Sequence, residues 1–195
     1  RLSRYSWRLA ASHDADGLVC SQQFTGAWPK EGVSDTHLLA LMAVLNSAVA
    51  NAFATVFTSD QRYRLTTLGN IPLPNHLPPE IAEMTATYIE RLSQAPFTFD
   101  NDTALQRLLA EIDSAVLGCY ALPVRLEREL LRFFDGARRP VVHAWEGWPG
   151  LEAAPGLTLA EILDGSRERF SGNWVRSVFE PLPQSEADAL RAYIG

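Results

Sequence analysis

Seven consecutive residues carry the densest set of recognition chemistry in this chain: Thr58, Ser59, Asp60, Gln61, Arg62, Tyr63 and Arg64. Arginine and glutamine present forked donors that match phosphate oxygens and purine edges, threonine and serine hydroxyls donate to phosphates, and Tyr63 offers a flat face. Such a cluster fits contact with nucleic acid, with Arg62 and Arg64 as the principal contacts and Gln61, Tyr63, Thr58 and Ser59 assisting. As plain structure it reads as a polar loop with Arg64 lying along apolar surface. Arg138 and Arg139 form a second, weaker phosphate-contacting pair.

Other chemistries find little support. Neither G-x-G-x-x-G nor G-x-x-x-x-G-K-[ST] occurs, so a phosphate-cradling glycine loop is absent. His13, His37, His76 and His143 are scattered, with none at the i, i+4 spacing of a helical zinc site. Asp14-Ala-Asp-Gly lacks the later oxygen ligands of a calcium loop. There is no G-x-S-x-G elbow, and Glu111 with Asp113, or Glu127 with Glu129, are two apart and point to different sides of a helix. The only lysine, Lys30, stands beside Glu31 in a loop, away from any carboxylate cluster of the kind a metal-dependent nuclease uses. Cys20 and Cys119 form no C-x-x-C pair, which suits a reducing compartment and neither a disulfide framework nor a zinc knuckle. No catalytic residue, metal or cofactor is expected.

With 195 residues, 47 % of them hydrophobic, the chain can bury a substantial core. Its net charge of −6 opposes adhesion to phosphate backbones through bulk charge, so nucleic-acid binding would depend on a local patch. No basic start leads into an apolar segment, and a cytoplasmic location is expected. The chain opens at Arg1 rather than methionine, as a fragment would.

The element that must position residues 58–64 is the apolar run 38–57, read as one buried helix begun by Ser34 and Asp35. Its polar stripe, Ser47, Asn51, Thr55 and Thr58, stacks on one face. About twenty apolar residues could cross a bilayer, but Asn46 and Asn51 near the middle and the lack of basic flanks argue against a membrane span. Before it, 7–11 and 18–24 read as two strands joined by a turn at 13–17. After it, 68–74 reads as a short strand closed by prolines.

Three amphipathic helices follow. One starts at Pro78 and Pro79 and carries Ile81, Met84, Tyr88 and Leu92; one runs from an Asn101/Asp102 cap to Gly118; one is opened by Pro123 and ended by Gly136. Residues 145–156 read as ordered loop, 158–163 as a short helix, 169–179 as a terminal strand or hairpin, and 185–193 as a last helix.

Ala43-Val-Leu-Asn-Ser-Ala-Val-Ala-Asn-Ala-Phe, then Leu68-Gly-Asn-Ile-Pro-Leu-Pro and a proline-started helix, resembles the C-terminal part of a target-recognition domain. Such domains occur in type I restriction specificity subunits and in fused type II restriction enzyme-adenine methyltransferases. Glu111-Ile-Asp-Ser-Ala-Val-Leu-Gly-Cys-Tyr-Ala-Leu-Pro, Leu126-Glu-Arg-Glu-Leu-Leu and Arg138-Arg139-Pro140 are similar to the tail that follows in the fused proteins. The resemblance covers residues 7–143 and implies sequence-specific reading of double-stranded DNA for a methyltransferase or nuclease subunit or domain. The Asn-Pro-Pro-aromatic motif of adenine methyltransferases is missing, and Asn75-His76-Leu77-Pro78-Pro79 does not replace it.

The expected architecture is α+β: a small N-terminal β-sheet packed on a buried central helix, followed by a helical layer and an irregular β-containing tail. Residues 1–100 would form half of a target-recognition-like domain and 101–195 a helical C-terminal extension. The expected function is a non-catalytic DNA-recognition module of a restriction-modification system. The alternative is a protein-protein interaction module, docking through its helical layer and exposed Trp145 and Trp148, or a truncated remnant without DNA binding.

Overall fold

The computed structural model describes residues 7–14, 17, 25–57, 65–94, 99–151 and 156–166. Its seven helices among these residues are α1 (Asp35–Leu45), α2 (Ala48–Phe57), α3 (Leu65–Gly69), α4 (Pro79–Gln94), α5 (Phe99–Tyr120), α6 (Val124–Phe133) and α7 (Leu159–Leu163). Over half of the described residues are helical, and they contain no strand. The expected α+β class with an N-terminal sheet is therefore corrected to a helical architecture. The expected strands at 18–24 and 169–179, and the expected helix at 185–193, lie outside the described residues.

Residues 7–11 show why the expectation of a strand failed. Trp7 and Leu9 are buried and Ala10 is exposed, the alternation that a half-buried strand shows. The backbone partners, however, are asparagine side chains. Asn51 Oδ1 accepts from the Arg8 and Leu9 amides at 2.8 and 2.7 Å. Asn46 brackets Ala11, accepting from its N–H and donating to its carbonyl, both at 2.8 Å. The segment lies against helices as a single extended strip.

The run 38–57 is likewise two helices, α1 and α2, bent by 61° at a short break. Ending one helix and starting another frees carbonyls that must find donors. Leu45 and Ser47 carbonyls accept from Asn51 Nδ2 at 3.3 and 3.0 Å, and the Asn46 carbonyl accepts from Arg139 at 3.0 Å. Ser47 Oγ accepts from the Ala50 amide at 3.3 Å and so caps the new helix. Ser34 occupies the cap position of α1 with extended backbone, but its hydroxyl meets His37 Nδ1 at 3.0 Å rather than a backbone amide. No single helix among the described residues is long and apolar enough to cross a membrane; the bent pair passes by length and composition only.

The expected strand at 68–74 is corrected too. Leu68 and Gly69 finish α3, and the Ile71 amide closes a turn on the Leu68 carbonyl at 3.2 Å. Ile71 then packs against Leu9, Ala50 and Ala54.

The later helices follow their apolar spacing. α4 buries Ile81, Ala82, Thr85 and Tyr88 against α1. α5 begins before the expected cap and continues through Gly118 to Tyr120; with 22 residues it is roughly 33 Å long. Its Leu105, Leu109, Ile112 and Val116 join Ala40, Val44 and Ile81 in one cluster, so a shared core crosses residue 100. A second cluster gathers Trp7, Ala48, Leu117, Leu131, Phe134, Trp148 and Leu159. Gly136, at φ 68°, turns the chain out of α6 into the long loop 137–151. α7 carries a complete capping box: Thr158 Oγ1 accepts from the Glu161 amide at 3.2 Å and the Glu161 carboxylate accepts from the Thr158 amide at 2.8 Å.

Candidate functional site

The recognition cluster Thr58, Ser59, Gln61, Arg62, Tyr63 and Arg64 lies outside the described residues. What the structure does place are its two anchors. α2 enters the segment through Phe53 and Phe57, whose rings are 4.4 Å apart, with Val56 and Phe57 largely exposed. α3 leaves it with Leu68 set against Ala50, Ala54 and Ile71. The base of α2 is held by the Asn51 bonds.

The second pair separates. Arg138 is exposed. Arg139 is buried to 4 % exposure, and its donors are engaged inside the protein, which removes it from the phosphate-contacting role expected for it. Its guanidinium holds both oxygens of Asp113, Nη2 to Oδ1 at 2.9 Å and Nη1 to Oδ2. Nη2 also reaches the Asn46 carbonyl. The plane lies 4.6 Å from the Trp7 ring and 4.8 Å from the Trp145 ring. Trp148 Nε1–H donates to Asp113 Oδ2 at 2.7 Å. Trp148 is therefore core and Trp145 half-buried, so the two do not form the exposed docking surface expected of them.

A second buried pair adjoins this node. The Ala144 carbonyl can only accept, so His143 Nδ1 donates to it at 2.9 Å, and Nε2 accepts from the Tyr88 hydroxyl at 2.8 Å. Burial pushes the Tyr88 hydroxyl up to about 12, with nearby Arg139 opposing and Asp113 adding to the shift. Burial also lowers His143 below its ordinary value; the Ala144 carbonyl and Asp102 oppose, and Arg139 reinforces. Both groups are thus neutral near pH 7. With Tyr88, Asp113, Arg139 and His143 all at most 5 % exposed, the arrangement bonds loop 137–151 to α1, α4 and α5 and presents no reactive atom to solvent.

No group of three or more His, Cys, Asp or Glu side chains among the described residues could hold a metal. An apolar groove of 520 Å³ runs past His76, Pro78, Ile81, Ala115 and Cys119. The Cys119 thiol there donates to the Ala115 carbonyl at 3.3 Å, and burial raises its pKa, the opposite of an activated nucleophile.

Comparison with protein-family models, with curated proteins and with solved structures finds no match.

The Asp113–Arg139 node had a sequence signal that residue types obscured. Asp113 falls beside Ile112 and one turn from Leu109 and Val116, on the face of α5 that the core requires. An acid at such a position demands a buried cation. Glu111, two residues earlier, points outward and pairs with Arg107 at 3.0 Å.

Proposed function

We propose that this chain is a non-catalytic DNA-recognition module of a restriction-modification system, reading double-stranded DNA through segment 58–64 for a methyltransferase or nuclease subunit or domain. The observation that carries the reading is the composition of that segment. Two arginines, a glutamine, a tyrosine and two hydroxyls stand together on a connection between α2 and α3. The order of the motifs that flank it, which resembles the C-terminal part of target-recognition domains, supports the same reading. Exposed Arg138 remains as a secondary phosphate contact; Arg139 does not. The net charge of −6 means that affinity has to come from these local contacts.

The test is fluorescence anisotropy with a randomised duplex pool at about 50 mM and about 200 mM salt. Bound duplex should be released steeply by salt, and selection of the retained fraction should enrich a short sequence. Arg62→Ala combined with Arg64→Ala should abolish specific binding while circular dichroism stays unchanged. Unaltered affinity in that variant would sink the assignment.

A second reading, a protein-docking module, draws on Trp28 at 84 % and Phe57 at 65 % exposure. It predicts a stable complex in solution and no duplex retention at either salt concentration.

A further inference from the structure

Among the described residues two arginines are buried, and they are treated in opposite ways. Arg139 has a carboxylate, a backbone carbonyl and two indole faces around it. Arg128, on α6, is 2 % exposed, yet its Nε, Nη1 and Nη2 all lack a hydrogen-bond partner. A guanidinium keeps its charge at every physiological pH and carries five N–H donors, so burial with those donors unbonded is costly.

The neighbouring carboxylates are committed elsewhere. Glu127 accepts from the Leu159 amide at 2.6 Å and so ties α6 to the start of α7. Glu129 pairs with Arg125 at 3.0 Å on the outer surface. Glu161 closes the capping box of α7. Arg132 lies one turn beyond Arg128 on the same face and is exposed; burial first, and then the Arg132 charge, act against the charge of Arg128, while the adjacent Glu127 carboxylate favours it without bonding to it. Like charges four residues apart on a helix oppose folding unless an anion lies between them.

We propose that Arg128 and Arg132 form an oxyanion site on α6 that takes a phosphate group. A single carboxylate is satisfied by one guanidinium fork. A phosphate, with more acceptor oxygens and nearly two charges, engages both arginines. Arg132 at the surface meets the anion first, and Arg128 reaches it by rotating its long side chain outward. The group could be free phosphate, a phosphomonoester, or a phosphodiester of nucleic acid. The site uses none of residues 58–64 and stands or falls independently of the reading placed on them.

The first measurement is thermal unfolding of the full chain in inorganic phosphate against sodium chloride at equal ionic strength. Wild type should show a saturable rise in Tm of a few degrees in phosphate only. Arg128→Met should unfold at or above the wild-type temperature in chloride, because it removes a buried guanidinium whose donors are unbonded, and should show no phosphate response. Arg132→Gln, at an exposed position, should need several-fold more phosphate for the same rise. No wild-type difference between the two salts would overturn the site, as would a full phosphate response in Arg128→Met. If Arg128→Met fails to fold, an unchanged phosphate midpoint in Arg132→Gln overturns it. A labelled duplex distinguishes the source. Weaker duplex binding in Arg132→Gln, with competition by phosphate, assigns a phosphodiester. A phosphate response with duplex binding unchanged or absent assigns a free phosphate or monoester, and leaves the DNA reading to its own test.

Discussion

The Asp113–Arg139 pair concentrates the polar energetics of the described molecule at two side chains. Each is buried, and the carboxylate oxygens also take the Trp148 indole N–H. Removing one partner leaves the other as an uncompensated buried charge, at a cost of about 3–5 kcal/mol. Arg139→Met and Asp113→Leu should therefore each lower stability in urea denaturation by roughly that amount. The double variant should lose clearly less than the sum, with a coupling of about 1–3 kcal/mol. It should not reach wild type, because the Trp148 indole and the Asn46 carbonyl lose their partners. Additive losses would show that the pair is not the coupled unit that its geometry describes.

At the scale of elements, the connections do as much as the helices. The α5–α6 turn places Ala121 at φ 47°, a left-handed conformation that costs a residue with a Cβ about 1 kcal/mol or more. Its amide still closes the turn on the Gly118 carbonyl at 3.2 Å, so the strain is retained to keep α6 folded back. Ala121→Gly should raise stability by about 0.5–1 kcal/mol, the relief of strain being partly offset by the freer unfolded chain. A higher urea midpoint at constant m-value is the expected reading. The α1–α2 bend is the other decisive connection, because Asn46 and Asn51 use it to hold residues 8–11.

For the molecule as a whole, loop 137–151 is the closing piece, and its His143 makes global stability sensitive to pH. The His143 pKa is depressed in the folded state, so folding favours its neutral form. The stabilisation is complete above its ordinary value of about 6.5 and is lost as pH falls through the folded value. Glu127 acts with the opposite sign, since burial raises its pKa and folding favours its protonated form as pH drops into the carboxylate range. Denaturation between about pH 7 and about pH 5 should show wild-type stability declining, and His143→Gln should flatten that decline. Equal slopes in the two proteins would place the acid sensitivity elsewhere.

Much of this architecture was legible as local pattern. The 3.6-residue spacing of Ile81, Tyr88, Leu105, Leu109, Ile112 and Val116 reports burial of one helix face, and Pro123 and Gly136 bracket α6 through their own backbone restrictions. Thr158 and Glu161 signal α7 within four residues. The failures share one cause. Alternation at Trp7 and Leu9 states which side is buried but not who supplies the hydrogen bonds, and here side chains about forty residues away supply them. An unbroken apolar run cannot announce a 61° bend whose freed carbonyls are satisfied partly by Arg139, ninety-three residues beyond Asn46. Arg138 and Arg139 are chemically identical in sequence, and only packing sends one to solvent and the other between two indoles. Local propensity and periodicity are properties of the chain alone. The partner of each buried polar group is a property of the packed molecule.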